Sequence, residues 1–252
     1  MYDLFFTVRS KLSGAWRKAI IARDMAVASS VFGSNVECPG CNRKFRRFLP
    51  FGVKRRGNAR CAYCGALERH RLLALYLRRE ISFGRVLHLA PETSIAKVLK
   101  SRSESYISAD LGGHADVTCD VQSMPFRDSS FDFIVCSHLL EHVDDDRRAM
   151  RELRRVLHPE GKAILLVPIE PGREVTFEDP SVTAREERAR VFGQWDHVRI
   201  YGSDYYDRLR EAGFSVATED LFASLPPKKL GGTDSCRKSL FVWRALFSLS
   251  AA

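Results

Sequence analysis

Beyond Arg85 the chain alternates short apolar runs with stretches patterned for helices, and this alternation limits its fold more than any other feature. Candidate strands fall at residues 85–89, 106–109, 132–136, 163–168, 214–218 and 239–244, with a weaker one at 116–119. Candidate helices fall at 94–101, 144–157 and 203–212, with Pro159-Glu160-Gly161 stopping one and Gly213 stopping another. Strands that alternate with helices pair in parallel and bury both faces, so the expected class is α/β, an open, mostly parallel seven-stranded sheet with helices on both faces. Ligands of such sheets sit beyond the carboxyl ends of the strands. Residues 170–190 and 224–234, with their Pro, Gly and charges, are expected to be the least ordered.

Ahead of the sheet, Cys38-Pro-Gly-Cys41 and Cys61-Ala-Tyr-Cys64 form two C-x2-C pairs with nineteen residues between them. Two residues between thiolates make a tight knuckle, and two knuckles close a tetrahedron around one zinc ion. Four thiolates leave no open position, so the expected zinc is structural. This gives a ribbon over residues 35–69, followed by a helical connector over 70–84 that carries the apolar stripe Leu72, Leu73, Tyr76 and Leu77. Cys119, Cys136 and Cys236 are expected to be ordinary buried thiols.

The net charge of +9 is local. Residues 43–79 hold twelve Lys/Arg against one Glu, a surplus of eleven that leaves the rest of the chain slightly acidic. Arg43-Lys-Phe-Arg-Arg-Phe48 and Lys54-Arg-Arg56 interleave cations with Phe45, Phe48 and Phe51, a mixture that suits phosphates and stacked bases as well as a solvated face. Residues 1–34 carry Leu4, Val8, Leu12, Trp16 and Ile20 at every fourth position among basic residues, the pattern of an amphipathic helix. Packing on the protein itself is the first expectation for this leader; peripheral membrane contact through residues 1–30 is the second. No run approaches the roughly 18 apolar residues of a membrane helix and no export pattern opens the chain, so a cytoplasmic protein is expected.

Four segments follow one another along the sheet region: Asp110 after the second strand, Asp120-Val-Gln-Ser-Met-Pro-Phe126, Ser130-Phe-Asp-Phe-Ile-Val-Cys-Ser-His-Leu-Leu-Glu-His-Val143 and Leu153-Arg-Arg-Val-Leu-His-Pro-Glu-Gly-Lys162. In this order they resemble successive motifs of class I S-adenosylmethionine-dependent methyltransferases, and more narrowly the type 11 methyltransferase-domain group. The phrase Cys61-Ala-Tyr-Cys-Gly-Ala-Leu-Glu-Arg-His-Arg71 resembles a subgroup with a cysteine-rich module ahead of the catalytic domain. The resemblance implies a Rossmann-like methyltransferase domain over residues 85–252 with S-adenosylmethionine as cofactor. It implies that Asp110 binds the ribose, that Asp120 and Val121 bracket the adenine, and that Ser137 and His138 lie near the methionine end and the methyl group. Where most of the family has a glycine-rich first turn preceded by Asp, this chain has His88 and Ala90-Pro91-Glu92, and Glu92 is expected to face the cofactor amino group.

On the acceptor side, Trp195-Asp-His-Val-Arg-Ile-Tyr201 offers His197, Arg199 and Tyr201 beside His138, with His197 the candidate base because a free imidazole titrates near neutrality. Asp204 can serve simply as a helix cap. Glu68-Arg-His-Arg71 reads as a latch in which Arg69 or Arg71 pairs with a carboxylate of the catalytic domain. The expected function is methyl transfer to a small-molecule or saccharide-like acceptor, which the basic ribbon allows to be anionic. The alternatives are an RNA-binding or RNA-modifying protein using the ribbon, and a non-catalytic scaffold with a degenerate fold.

Overall fold

The computed structural model describes residues 32–52, 56–220 and 244–249. The expected leader helix and its membrane contact, Lys54, Arg55, the stretch at 224–234 and Cys236 lie outside the described residues.

The first layer is small. Strands β1 (Phe32–Cys38) and β2 (Arg43–Phe45) pair antiparallel, as do β3 (Leu49–Phe51) and β4 (Arg56–Arg60). Their core is Phe45, Phe48, Ala66 and the cysteines Cys38, Cys41 and Cys61. So few apolar residues make a marginal core, the situation in which small modules rely on a metal or cross-links. Arg71 supports it from α1 (Glu68–Leu77). Its fully buried guanidinium donates to the carbonyls of Ala59 (2.7 Å), Ala66 (3.1 Å) and Asn58 (3.1 Å) and lies 3.9 Å from the centre of the Phe48 ring. The latch expected of Arg71 is thereby corrected: it holds the ribbon together through backbone oxygens. Phe45 and Phe48 are buried, so the stacking role expected of them is corrected as well.

The main sheet has seven strands in the order β12-β13-β9-β8-β5-β6-β7. These are β5 (Arg85–Leu89), β6 (Ser105–Asp110), β7 (Val117–Thr118), β8 (Phe131–Ser137), β9 (Leu157–Leu166), β12 (Ser215–Asp220) and β13 (Arg244–Leu249). Pairings from β7 to β9 are parallel, and β13 runs antiparallel to both β9 and β12. The expected Rossmann-like class therefore holds. β5 and β8 are buried almost end to end, as central strands covered on both faces must be.

Three helices show how local sequence sets the packing. In α2 (Thr93–Lys100), Ile95, Val98 and Leu99 face inward with Ser94. In α3 (Asp146–Val156), Ala149, Met150, Leu153 and Val156 do so, and Asp145 caps the helix by accepting from the Arg148 backbone N–H at 2.9 Å. α5 (Tyr205–Glu211) buries Tyr205 and Leu209. The Pro159-Glu160-Gly161 stop works differently from expectation: the helix ends at Val156 and β9 starts at once, pairing Leu157 with Phe131 across a register shift. Of the strand expected at 239–244, residues 239–243 lie outside the described residues, and β13 includes Arg244. The segment expected to be least ordered holds β10 (Phe177–Glu178) and α4 (Arg185–Val191), with β10 pairing to β11 (Arg199–Ile200). No helix among the described residues is long and apolar enough to cross a membrane.

Candidate active site

The ends of β5, β6, β7 and β8 lie side by side, and the expected cofactor residues sit on them. Between β5 and α2, Ala90 takes φ +46°, a left-handed conformation that favours glycine, and its N–H donates to Ala109 O at 2.9 Å. This is the turn where the resemblance implies glycine. Glu92 follows Pro91 and opens α2, its carbonyl accepting from the N–H groups of Ile95 (3.0 Å) and Ala96 (2.9 Å). The Glu92 carboxylate turns back to His88 Nε2 at 3.0 Å and His70 Nε2 at 3.6 Å, and its side chain remains 18% exposed. The glutamate expected to face a cofactor amino group is thus already oriented by two imidazoles.

Burial works against the charge on Glu92, but the His88 hydrogen bond and the neighbouring imidazoles outweigh it and hold the carboxyl below its usual range. Burial also pushes His70 down to about 4, so near neutral pH it acts on Glu92 as a dipole and not as a cation. His88 is fully buried and bridges Glu92 to the Tyr106 hydroxyl, which lies 3.0 Å from its Nδ1. Arg69 is depressed by burial and feels the opposing charges of Glu92 and Glu141. Of the Glu68-Arg-His-Arg71 segment expected to form a latch, His70 is the residue that meets a carboxylate of the catalytic domain, at Glu92. The sequence marked His88 only as a departure from the family's Asp before the first turn and gave it no role; its link to Glu92 and Tyr106 came from the structure.

At the end of β6, Asp110 Oδ1 accepts from the His114 N–H at 3.1 Å, and its carbonyl accepts from the Cys119 N–H at 2.9 Å. Asp120 Oδ1 accepts from the Gln122 N–H at 2.8 Å, and buried Val121 follows it. Ser137 ends β8 and is buried; His138 comes next at φ +55°, its Nδ1 2.9 Å from Glu141 Oε1. A non-glycine residue in this region stores strain, which concentrates where the chain needs a particular side-chain aim.

The acceptor-side expectations divide. His197 lines a cavity of about 340 Å³ formed with Ile169, Glu170, Arg190, Phe192 and Ile200. Its ring meets His142 edge-on with centroids 4.8 Å apart, and burial lowers its pKa. Arg199 and Tyr201 are corrected. Arg199 is buried with its guanidinium donating to the carbonyls of Leu140, Val143 and Asp144, at 2.6 Å for Leu140 and 2.9 Å for Asp144. Tyr201 is fully buried and its hydroxyl donates to Asp146 Oδ2 at 2.8 Å. The Tyr201 hydroxyl is thereby committed to the segment after β8, and Arg199, though it lines the same cavity as His197, spends its terminal nitrogens on that turn's carbonyls. Asp204 precedes α5 without a side-chain cap bond and accepts instead from the Thr176 N–H (2.8 Å) and hydroxyl (2.5 Å).

The four ribbon cysteines converge. Cys38 and Cys64 sulfurs lie 3.6 Å apart, and those of Cys41 and Cys61 3.8 Å. Zinc–sulfur bonds of about 2.3 Å in a tetrahedron impose a sulfur–sulfur edge of roughly 3.8 Å, so the arrangement fits that ion. All four thiols are free of disulfides.

Some of the basic residues of the ribbon and connector make local contacts. Arg56 pairs with Glu68 at 3.3 Å, Arg78 donates to Pro39 O at 3.0 Å, and Arg43 lies 3.5 Å from the Tyr63 ring centre.

With this geometry in place, residues 71–165 match the family described as Methyltransferase domain. A 2-phytyl-1,4-naphtoquinone methyltransferase of Nostoc punctiforme is 30% identical over 160 residues, covering 58% of this chain and 68% of that protein. The chain belongs to the methyltransferase-domain family. A demethylmenaquinone methyltransferase of Corynebacterium urealyticum is 30% identical over 131 residues, 46% of this methyltransferase chain and 57% of the relative. An uncharacterized methyltransferase of Bacillus subtilis, YcgJ, is 41% identical over 127 residues, 48% and 47%. The chain thus spans about half the length of these last two relatives. A crystal structure of an S-adenosylmethionine-dependent methyltransferase from Mesorhizobium loti aligns with TM-score 0.49 at 16% identity, covering 70% of this chain and 96% of that one.

Proposed function

We propose that the chain transfers a methyl group from S-adenosylmethionine to a small-molecule acceptor. The observation that carries this is the row of Ala90, Glu92, Asp110, Asp120, Val121, Ser137 and His138 along four adjacent strand ends, where a ligand of an open α/β sheet binds. When bound, S-adenosylmethionine supplies a methyl group on a sulfonium. Asp110 is assigned to the ribose hydroxyls, Asp120 and Val121 to the adenine, and Pro91, Glu92 and Ser137 to the methionine end. His138 and His197 stand on the acceptor side, with His197 positioned to take the proton of a protonated acceptor. Arg199 and Tyr201 act as positioning residues for the turn that carries His138 and Glu141. Domain boundaries follow the same division: a ribbon at 35–69, a connector at 70–84 and the methyltransferase domain beyond.

A quinone-like or other flat, partly apolar acceptor is the finer proposal. Ile169, Phe192 and Ile200 line the cavity beside polar His197, Arg190 and Glu170, and two relatives are named for naphthoquinone-type compounds. A saccharide-like acceptor would call on the polar side of the same cavity. The ribbon is assigned one structural zinc on Cys38, Cys41, Cys61 and Cys64, which would hold the fold around a small core. The RNA alternative loses support, since Phe45 and Phe48 are buried and several ribbon arginines are paired.

The test is calorimetry with S-adenosylhomocysteine. Asp110→Ala removes charged hydrogen bonds to two hydroxyls, and the expected loss is about 1.5 to 3 kcal/mol, or one to two decades in affinity. Absence of binding by the parent protein, or an unchanged constant in the variant, defeats the assignment.

A further inference from the structure

We propose that Glu141, His142 and His197 form a second metal site, for a divalent first-row transition ion, at the edge of the acceptor cavity. One potential ligand atom from each residue lies within 4.8 Å of the others. An ion bound at about 2.1 Å holds its ligand atoms roughly 3 to 3.5 Å apart. The remaining closure falls to the two imidazoles, which are only partly buried.

Three features mark the cluster as more than chance proximity. Glu141 is 1% exposed, and its Oε2 is buried with no hydrogen-bond partner among the described residues, although Oε1 is held by His138. A buried carboxylate oxygen left without a donor is costly, and a cation satisfies it. His142 Nδ1 lies 3.1 Å from the Asp196 carbonyl, which can only accept; Nδ1 therefore carries a proton, and Nε2 is the nitrogen left to meet an ion. That is the outer bond by which metal-binding imidazoles are commonly oriented. His197 lies against His142 and opens onto the cavity, so three protein ligands leave a position for an oxygen of water or of the acceptor.

Two imidazoles and one carboxylate suit zinc, cobalt, iron(II) or manganese better than magnesium or calcium, which favour all-oxygen sites. This inference rests on the acceptor-side placement proposed above, and it selects acceptors that carry a metal-binding oxygen. With the ion bound, His197 would serve as a ligand instead of the base, and the acidified proton of an acceptor oxygen would pass to solvent water.

The full-length protein, stripped and reloaded with cobalt(II), separates the two sites. Cobalt on the four cysteines produces thiolate charge-transfer absorption, whereas cobalt on Glu141, His142 and His197 adds ligand-field bands without it. The expected result is an equivalent of cobalt that survives Cys61→Ser and is lost in His197→Ala and in His142→Ala, with affinity falling on the order of 100-fold. Glu141→Gln should weaken the same equivalent while the charge-transfer band persists, and retained S-adenosylhomocysteine binding reports that the catalytic domain is still folded. Cobalt bound only with charge-transfer character, or a second equivalent indifferent to both His197→Ala and His142→Ala, overturns the proposal. S-adenosylhomocysteine calorimetry on His197→Ala reports separately on the cofactor site, so failure of methyltransferase activity is not confused with failure of this one.

Discussion

The first knuckle of the ribbon presses on α2, the helix that follows the turn after β5, and Gly40→Ala tests that contact. A Cβ placed on Gly40 would lie 2.8 Å from the Ser94 Cβ, while Cys64 Sγ and Ala66 Cβ would be at an ordinary 3.6 Å. Carbon pairs rest at about 3.5 to 4.0 Å, so one side must retreat by roughly 0.7 to 1.2 Å. Neither side yields easily. The knuckle is closed by the N–H groups of Cys41 (3.2 Å) and Asn42 (2.7 Å) donating to Cys38 O, and Ser94 is buried in the first turn of α2, two residues after Glu92. Overpacking of this kind costs about 1 to 3 kcal/mol. In a domain of this size each kcal/mol corresponds to about 2 to 4 °C in Tm. Ser94→Gly removes the opposing Cβ together with a buried hydroxyl that lacks a partner among the described residues, at a helix-propensity cost of about 1 kcal/mol. Chemical denaturation of both single variants and the double variant should therefore show Gly40→Ala nearly silent in the Ser94→Gly background, and S-adenosylhomocysteine affinity should drop in Gly40→Ala and recover in the pair. Effects that add to within about 0.5 kcal/mol would refute a direct contact between knuckle and helix.

Three further outcomes follow from the same geometry. His70, held near 4 in the folded protein against about 6.5 unfolded, makes the unfolded chain bind more protons between those values. Stability should therefore rise with pH across this window and be lost on acidification towards 4, by up to about 3 kcal/mol, and His70→Gln should flatten a urea-midpoint series recorded over that range. Cys61→Ser should lower zinc content by elemental analysis and loosen the ribbon to limited proteolysis before the sheet; full metal retention would remove the tetrahedral assignment. Arg199→Met strands the carbonyls of Leu140, Val143 and Asp144, and the expected loss is about 3 to 5 kcal/mol in equilibrium unfolding, where a purely acceptor-facing arginine would leave stability intact.

Which features could be read from the chain follows from how local their causes are. The strand and helix alternation, the paired cysteines and the motif around Leu140-Glu141-His142 are written in short windows, because a β-strand buried on both faces must be apolar throughout and a metal knuckle must space its thiolates by two residues. The sheet class, the convergence of the four sulfurs and the placement of Asp110 and Asp120 at strand ends accordingly match the expectations drawn from sequence. Side chains whose partners lie far along the chain could not be read that way. Arg199 and Tyr201 sit next to His197 in sequence, yet their polar ends turn to oxygens more than fifty residues away, at Leu140 and Asp146. His70 and Glu92 lie on separate segments of the chain and meet only because α1 packs beside α2 and the turn after β5. Composition and spacing set what each segment can become; tertiary packing decides which charged groups satisfy one another, since burial makes an unpaired polar group costly wherever the fold happens to place it.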